Sequence, residues 1–458
     1  MTFVARYVPK FFPKPCREFW DRVQSSPIAV RLLHGSIWSL AGSVVSRILA
    51  LAAALLVARI LGKATYGELD IVQSTIGMFG TLAGFGMGTT AAKFVAEFRH
   101  TDPAKAGRII VLSNIVSWGM GLTLGVALFS FAPWLARHSL AAPELSPYIQ
   151  LSALLLVLNA INGAQTGVLS GFESFRNIAW VNALTGLLNF PLVVAGALLG
   201  ELSGAIWGMI IAQLSGCLAN VIISRKEAAR FQIPIVSWRQ ATAELPLLGR
   251  FAVPATLGSL LINPIDWACT AMLVRQPNGF EHVGAYSVAT QWFGALLWLP
   301  YVLAQSVMPV LSERIGANDA ARSTKLLSVS IKISAAVTVP FVVIGSLLSR
   351  QIMGAYGEAF AQDWPTLVVS LVTCAVVAVQ VPAGNMIAAS DRMWLGFGMN
   401  VLWATVFLVM TWLCVQWGAL GLASARLMAY VAQGSWACLF AVLWFRNFHT
   451  TSQVPRRG

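Results

Sequence analysis

GSIWSLAGSVVSRILALAAALLVARIL, residues 35–61, is an apolar run with a charge, Arg47, near its middle and a second, Arg59, at its end. A bilayer core about 30 Å thick is crossed by about 20 apolar residues in a helix, so this run is long enough to span a membrane. Eleven more runs of that kind follow, at 69–92, 109–132, 148–170, 178–200, 203–224, 251–274, 284–311, 326–349, 366–389, 393–416 and 419–445. The composition agrees. Of 458 residues, 57% are hydrophobic and 11% charged, with mean hydropathy +0.71; a soluble domain carries about 25% charged residues. The expected fold is all-α and membrane-embedded, with about twelve transmembrane helices. The thinnest connections are Glu201–Leu202 and Trp417–Gly418, so the count of twelve requires the chain to reverse there.

Charge placement gives the orientation. The net charge is +13, but the basic residues sit between apolar runs and form no stripe with interleaved stacking aromatics, so nucleic acid is not the expected partner. Of 31 Lys and Arg, 23 fall in the amino-terminal tail and alternate gaps, and only eight in the other gaps and inside spans together. That asymmetry predicts cytoplasmic amino and carboxyl termini. Residues 1–34 form a basic tail rich in proline and aromatics; without the apolar core of a cleaved signal it is read as retained.

The chain also resembles itself. Arg59, Gly67 and Gly77 find counterparts in Arg275, Gly284 and Gly294, and Arg176 with Asn182 is echoed by Arg392 with Asn400, all at an offset near 217 residues. Six spans per copy predict parallel repeats about an axis along the membrane normal, with a central cavity between them. The expected organisation is a first bundle over 35–224, a cytoplasmic linker over 225–250, a second bundle over 251–445 and a cytoplasmic tail over 446–458.

Ionisable residues inside spans are costly and usually face a cavity or a partner. Four lie away from the span ends: Arg47, Asp266, Lys332 and Arg426. Arg47 continues a polar stripe of Ser36, Ser39 and Ser43 at helical spacing. Asn159, Asn162 and Thr166 form a second stripe, Asn263, Asp266 and Thr270 a third, and Arg426, Tyr430 and Gln433 a fourth. Each stripe fits either a watery cavity or helix–helix hydrogen bonds. Asp266 could pair with Arg47, since their spans correspond under the repeat, and Lys332 is close enough to the cytoplasmic end to snorkel out. Three cations against one anion favour an anionic ligand, with Arg47, Arg426 and Lys332 as its candidate contacts and Asp266, Asn263, Ser43, Asn159, Asn162, Tyr430 and Gln433 as polar or ion-coupling lining. An organic-cation efflux pump would face repulsion from that interior.

No phosphate-binding loop, HExxH pair or GxSxG turn occurs, and no extracytoplasmic gap is long enough for a catalytic domain, so neither an enzyme nor a sugar polymerase is expected. The six cysteines and five histidines have no metal-ligand spacing, and no metal or cofactor is called for.

Several segments carry a family resemblance. ARILGKATYG (Ala58–Gly67) with GTLAGFGMGTTAAKFVAE (Gly80–Glu97) resembles the opening of Wzx-type O-antigen flippases, relatives of multidrug and toxin extrusion transporters and of the lipid II flippase. GVLSGFESFRNIAWVNAL (Gly167–Leu184), NMIAASDRMWLGFGMN (Asn385–Asn400) and WGALGLASA (Trp417–Ala425) are similar to later segments of the same family. The resemblance implies two six-helix bundles around a V-shaped cavity in a bacterial inner membrane. It also implies an anionic cargo, an oligosaccharide carried on undecaprenyl diphosphate for O-antigen, capsule or exopolysaccharide synthesis. Arg47 is matched to the family's cationic cavity residues. Membrane lipids, and other polysaccharide-assembly membrane proteins, are the partners it would imply.

Overall fold

The computed structural model describes residues 27–234, 236–246, 252, 256, 260–316, 320–390 and 392–452. The longer helices are α1 (Pro27–Gly84), α2 (Met87–Phe98), α3 (Pro103–Trp134), α4 (Ser146–Gly171), α5 (Phe175–Arg230), α6 (Ile262–Val274), α7 (Gly279–Gly316), α8 (Ala320–Leu347), α9 (Trp364–Ala389), α10 (Met393–Cys414) and α11 (Gly418–Ser452). Among the described residues, eight continuous helical stretches are long and apolar enough to cross a membrane.

Three of those stretches are pairs of spans joined by tight reversals. α1 breaks at Gly62, whose φ of 78° and ψ of 171° are open to a residue without a Cβ. α5 breaks at Gly200 and Glu201. Its two arms then run back along each other, and a Cβ built on Gly196 would lie 2.1 Å from the Gly204 carbonyl oxygen. Small residues of this kind let membrane helices touch backbone to backbone. α10 and α11 reverse through Val415–Trp417 and Gly418, at φ 64°, and Gln433 Nε2 donates across the pair to Asn400 Oδ1 at 3.0 Å. With these three reversals the eight stretches make eleven spans among the described residues, and α6 lies within the run expected as the seventh. Both thin connections seen in the sequence are reversals.

The two halves repeat in three dimensions. α8, α9 and α10 follow α3, α4 and the first arm of α5 at the offset of 217 residues that separates Ser287 from Asp70. Equivalent residues also meet one another. A Cβ on Gly67 would lie 1.9 Å from the Phe280 carbonyl oxygen, and one on Gly284 would lie 2.2 Å from the Lys63 carbonyl oxygen. Ser287 Oγ donates to Asp70 Oδ1 at 2.6 Å. Lys63 and Phe280, Gly67 and Gly284, and Asp70 and Ser287 are each related by the repeat. Such reciprocal contacts are the signature of a two-fold axis, here passing between the second arm of α1 and α7.

Outward faces carry large apolar side chains that remain exposed, such as Leu199 at 90%, Trp394 at 85% and Leu347 at 76%. Exposure of so many large apolar side chains is unfavourable in water and is what lipid-facing helices present. The protein is a multi-pass membrane protein.

Candidate functional site

The seam between the halves leaves space on the side of the first span. A cavity of about 310 Å³ is walled by Arg47, Ala50, Ala54 and Val57 of the first α1 arm and by Tyr66, Leu69 and Gln73 of the second. Asn189, Val193 and Met209 of α5 close it on one side, and Gln291, Gly294 and Ala295 of α7 on the other. A second cavity of about 510 Å³ shares Gln73, Asn189 and Met209 with the first, and continues past Gly77, Gly80 and Thr81 to Asn159, Gln213 and Asn263. The two are parts of one chamber.

The chamber is polar in a particular way. Arg47 is the one formally charged residue among the described residues that line either part. Its Nη1 reaches the Gly294 carbonyl oxygen only at 3.5 Å, and the guanidinium lies 5.3 Å from the Trp298 ring centroid. A guanidinium has five N–H donors, so most of its capacity is unspent within the described residues. The remaining polar lining is amides. Gln213 Nε2 donates to Asn159 Oδ1 at 2.6 Å, Asn263 Nδ2 donates to Thr81 Oγ1 at 3.0 Å, and Gln291 Nε2 donates to the Tyr66 hydroxyl. Sequence periodicity singled out Asn159 and Asn263, but not Gln73, Asn189, Gln213 or Gln291. Their only signal was an amide alone in an apolar span, which fits a packed helix interface equally well.

Other expected residues lie elsewhere. Arg426 lines neither part of the chamber. It sits in the second half, 3.6 Å from Asp266 Oδ2 through Nη2, donating from Nη1 to the Tyr286 hydroxyl at 3.1 Å, with its guanidinium 4.8 Å from the Phe293 ring centroid. The partner of Asp266 is thus Arg426 of α11, within its own half, rather than Arg47; α6 bonds α1 on its second arm, at Thr75 and Thr81, whereas Arg47 stands on the first. Tyr430 stacks at tilted angles on Phe293 and Trp403, and Gln433 bonds Asn400. Asn162 accepts from Asn220 Nδ2, tying α4 to the second arm of α5. Lys332 is exposed on α8 beside the exposed Ile333, away from both chamber parts. The Ser43 side chain lies outside the described residues. No group of three His, Cys, Asp or Glu that could hold a metal ion occurs among the described residues.

Arg426 is the better test of how the second half is held. Removing one partner of this half-buried ion pair leaves the other charge without its counter-charge, a loss that reaches about 3–5 kcal/mol only where a pair is fully buried. Arg426→Ala should therefore lower the thermal unfolding midpoint in detergent. Pairing it with Asp266→Asn should recover much of the loss, as a double-mutant cycle would measure.

At the end of the chamber nearest Gly62 the halves are latched. Lys63 Nζ lies 2.6 Å from Asp363 Oδ2, both side chains largely buried, and Arg59 Nε donates to the Ala355 carbonyl oxygen at 2.5 Å. Further along the seam, Trp267 Nε1 donates to Thr75 Oγ1 at 2.9 Å. The latch joins residues about 300 apart in the chain.

Residues 32–314 match the polysaccharide biosynthesis protein family, a span of more than half the chain. The chain belongs to that family. Among its curated relatives is the EPS I polysaccharide export inner membrane protein EpsE of Ralstonia nicotianae, 26% identical over 186 residues, covering 40% of this chain and 42% of the relative. The chain thus matches less than half the length of that relative. Stage V sporulation protein B of Bacillus subtilis is 24% identical over 61% of this chain and 58% of its own length. Lipid III flippase of Escherichia coli is 22% identical over 91% of this chain and 99% of its own. Among solved structures, a multidrug resistance MATE family transporter of the MOP superfamily, inward-facing, superposes with a TM-score of 0.76 at 16% identity, covering 89% of this chain and 96% of that one. The lipid II flippase MurJ, in an inward closed conformation, gives 0.70 at 15% identity, covering 89% and 87%. At these identities the structures establish the fold: two helical lobes about a central cavity.

Proposed function

We propose that this family member is a flippase that carries a polyprenyl-diphosphate-linked oligosaccharide across a bacterial inner membrane by alternating access. One observation carries the reading: a guanidinium with unspent donors stands in an amide-walled chamber at the seam of two repeat-related lobes. Arginine pairs bidentately with phosphate oxygens, and with no carboxylate among the described lining residues its charge is available to a diphosphate. The names of the relatives, a polysaccharide export protein and a lipid III flippase, support the same cargo class.

Both termini are cytoplasmic in this reading, from the lopsided distribution of Lys and Arg. The Lys63–Asp363 latch then closes the outer end, and the chamber is in its loading state. The lobes rock about the two-fold axis, the latch parts and the chamber faces outward. The membrane potential, negative inside, assists export of an anion by about 2.3 kcal/mol per charge per 100 mV. In the same scheme Arg426 and Asp266 hold the second lobe rigid, and the chemistry is transport rather than bond-making.

Proteoliposomes test the proposal. With the purified protein and a labelled polyprenyl-diphosphate oligosaccharide in one leaflet, the label should equilibrate across the bilayer faster than in empty vesicles. Movement of an organic-cation dye with no movement of the lipid-linked sugar would replace this reading with small-molecule efflux.

A further inference from the structure

The chamber has a chemistry beyond its cation. Its polar lining, apart from Arg47 and the buried Tyr66 hydroxyl, consists of Thr81 and the amides of Gln73, Asn159, Asn189, Gln213, Asn263 and Gln291. No carboxylate or second cation is among the described lining residues. An amide offers two donors and a two-lone-pair acceptor, which matches a sugar hydroxyl's paired donor and acceptor. It offers less to a carboxylate, whose strong partners are cationic donors that form charge-assisted hydrogen bonds.

The amides are not equally engaged. Asn159 with Gln213, Asn263 with Thr81 and Gln291 with Tyr66 are paired. Gln73 and Asn189 have no hydrogen-bond partner among the described residues, although both sit where the two parts of the chamber join. Gln73 is exposed and Asn189 half-buried, so both amides are reachable from the chamber. Arg47 lies in the narrower part and the paired Asn159 and Gln213 in the wider one. A ligand whose phosphates meet Arg47 therefore lays its next group against Gln73 and Asn189.

Building on the flippase reading, we infer that the chamber selects an uncharged saccharide, and that Gln73 and Asn189 read the hydroxyls of the sugar nearest the diphosphate. The specificity has two parts. The free amides gain partners only from a polar, hydrogen-bonding sugar. A uronic acid or other acidic sugar brings a carboxylate for which Arg47, already engaged by phosphate, is the only described counter-charge.

The test is equilibrium binding to the full chain in nanodiscs with three probes: undecaprenyl diphosphate alone, the same lipid bearing a neutral disaccharide, and the same lipid bearing a uronic-acid disaccharide. Wild type should bind the neutral glycolipid about tenfold or more tighter than the acidic one. In Gln73→Leu/Asn189→Leu the ratio of neutral-glycolipid to bare-lipid affinity should fall about tenfold, the scale of one or two lost hydrogen bonds. Equal or tighter binding of the acidic glycolipid by wild type would overturn the inference while leaving the flippase reading intact. So would a folded double variant whose affinity ratio matches that of wild type. Failure of wild type to bind even the bare diphosphate lipid would remove both. The wild-type comparison decides the matter even if the double variant does not fold.

Discussion

Arg47→Ala should insert and fold normally, yet transport the lipid-linked sugar at a small fraction of the wild-type rate. Arg47 makes one long hydrogen bond and a ring contact within the described structure, so its removal forfeits little packing. What it forfeits is the chamber's charge. A hydrogen bond to a charged group contributes about 1.5–3 kcal/mol, which at tenfold per 1.4 kcal/mol is about 10- to 150-fold in affinity for a diphosphate. Arg47→Lys should recover part of that, because the ammonium keeps the charge but loses the planar two-point grip. The measurements are binding of undecaprenyl diphosphate and flipping in proteoliposomes. An Arg47→Ala protein that flips at the wild-type rate would remove the physical basis of the assignment.

Gly67→Val should have the other large effect, through geometry rather than charge. Any Cβ at Gly67 falls 1.9 Å from the Phe280 carbonyl oxygen, and Gly284 opposes it across the axis. Neither backbone can yield without separating the lobes at the latch. Overpacking of this kind costs about 1–3 kcal/mol, and here it falls on the latched state alone. The equilibrium should move about 5- to 150-fold towards the unlatched state. A short bis-maleimide joining Lys63→Cys to Asp363→Cys in a cysteine-free background reads this out directly. Cross-linking should be efficient with Gly67 and sharply reduced with valine, and transport should fall in parallel because the cycle cannot return to its closed state. Unchanged cross-linking would mean that the glycine crossing does not set the latch.

The two predictions draw on different levels of information. Arg47 was legible from the start, because a charge in the middle of an apolar run is costly wherever the run ends up. The long apolar spans, the internal duplication and the reversals near Glu201 and Gly418 were legible for a similar reason: bilayer thickness and tight turns act on local sequence. The sequence pattern of Arg59, Gly67 and Gly77 against Arg275, Gly284 and Gly294 even marked the residues that straddle the axis, without showing that Gly67 and Gly284 touch.

The chain alone thus determined that this is a membrane protein of duplicated helical bundles with a cation placed in its first span. Tertiary structure decided who meets whom. A polar stripe at helical spacing looks the same whether it faces water or a neighbouring helix, so Asn159 and Asn162 were indistinguishable until one lined the chamber and the other bonded Asn220. The partner of Asp266 is 160 residues away in the chain, and the partner of Lys63 is 300 away. Pairings at such separations depend on how whole helices cross, which a 3.6-residue period cannot encode. The same holds for Gln73 and Asn189, single amides in ordinary apolar spans, which only the joining of α1 to α5 brings to one wall.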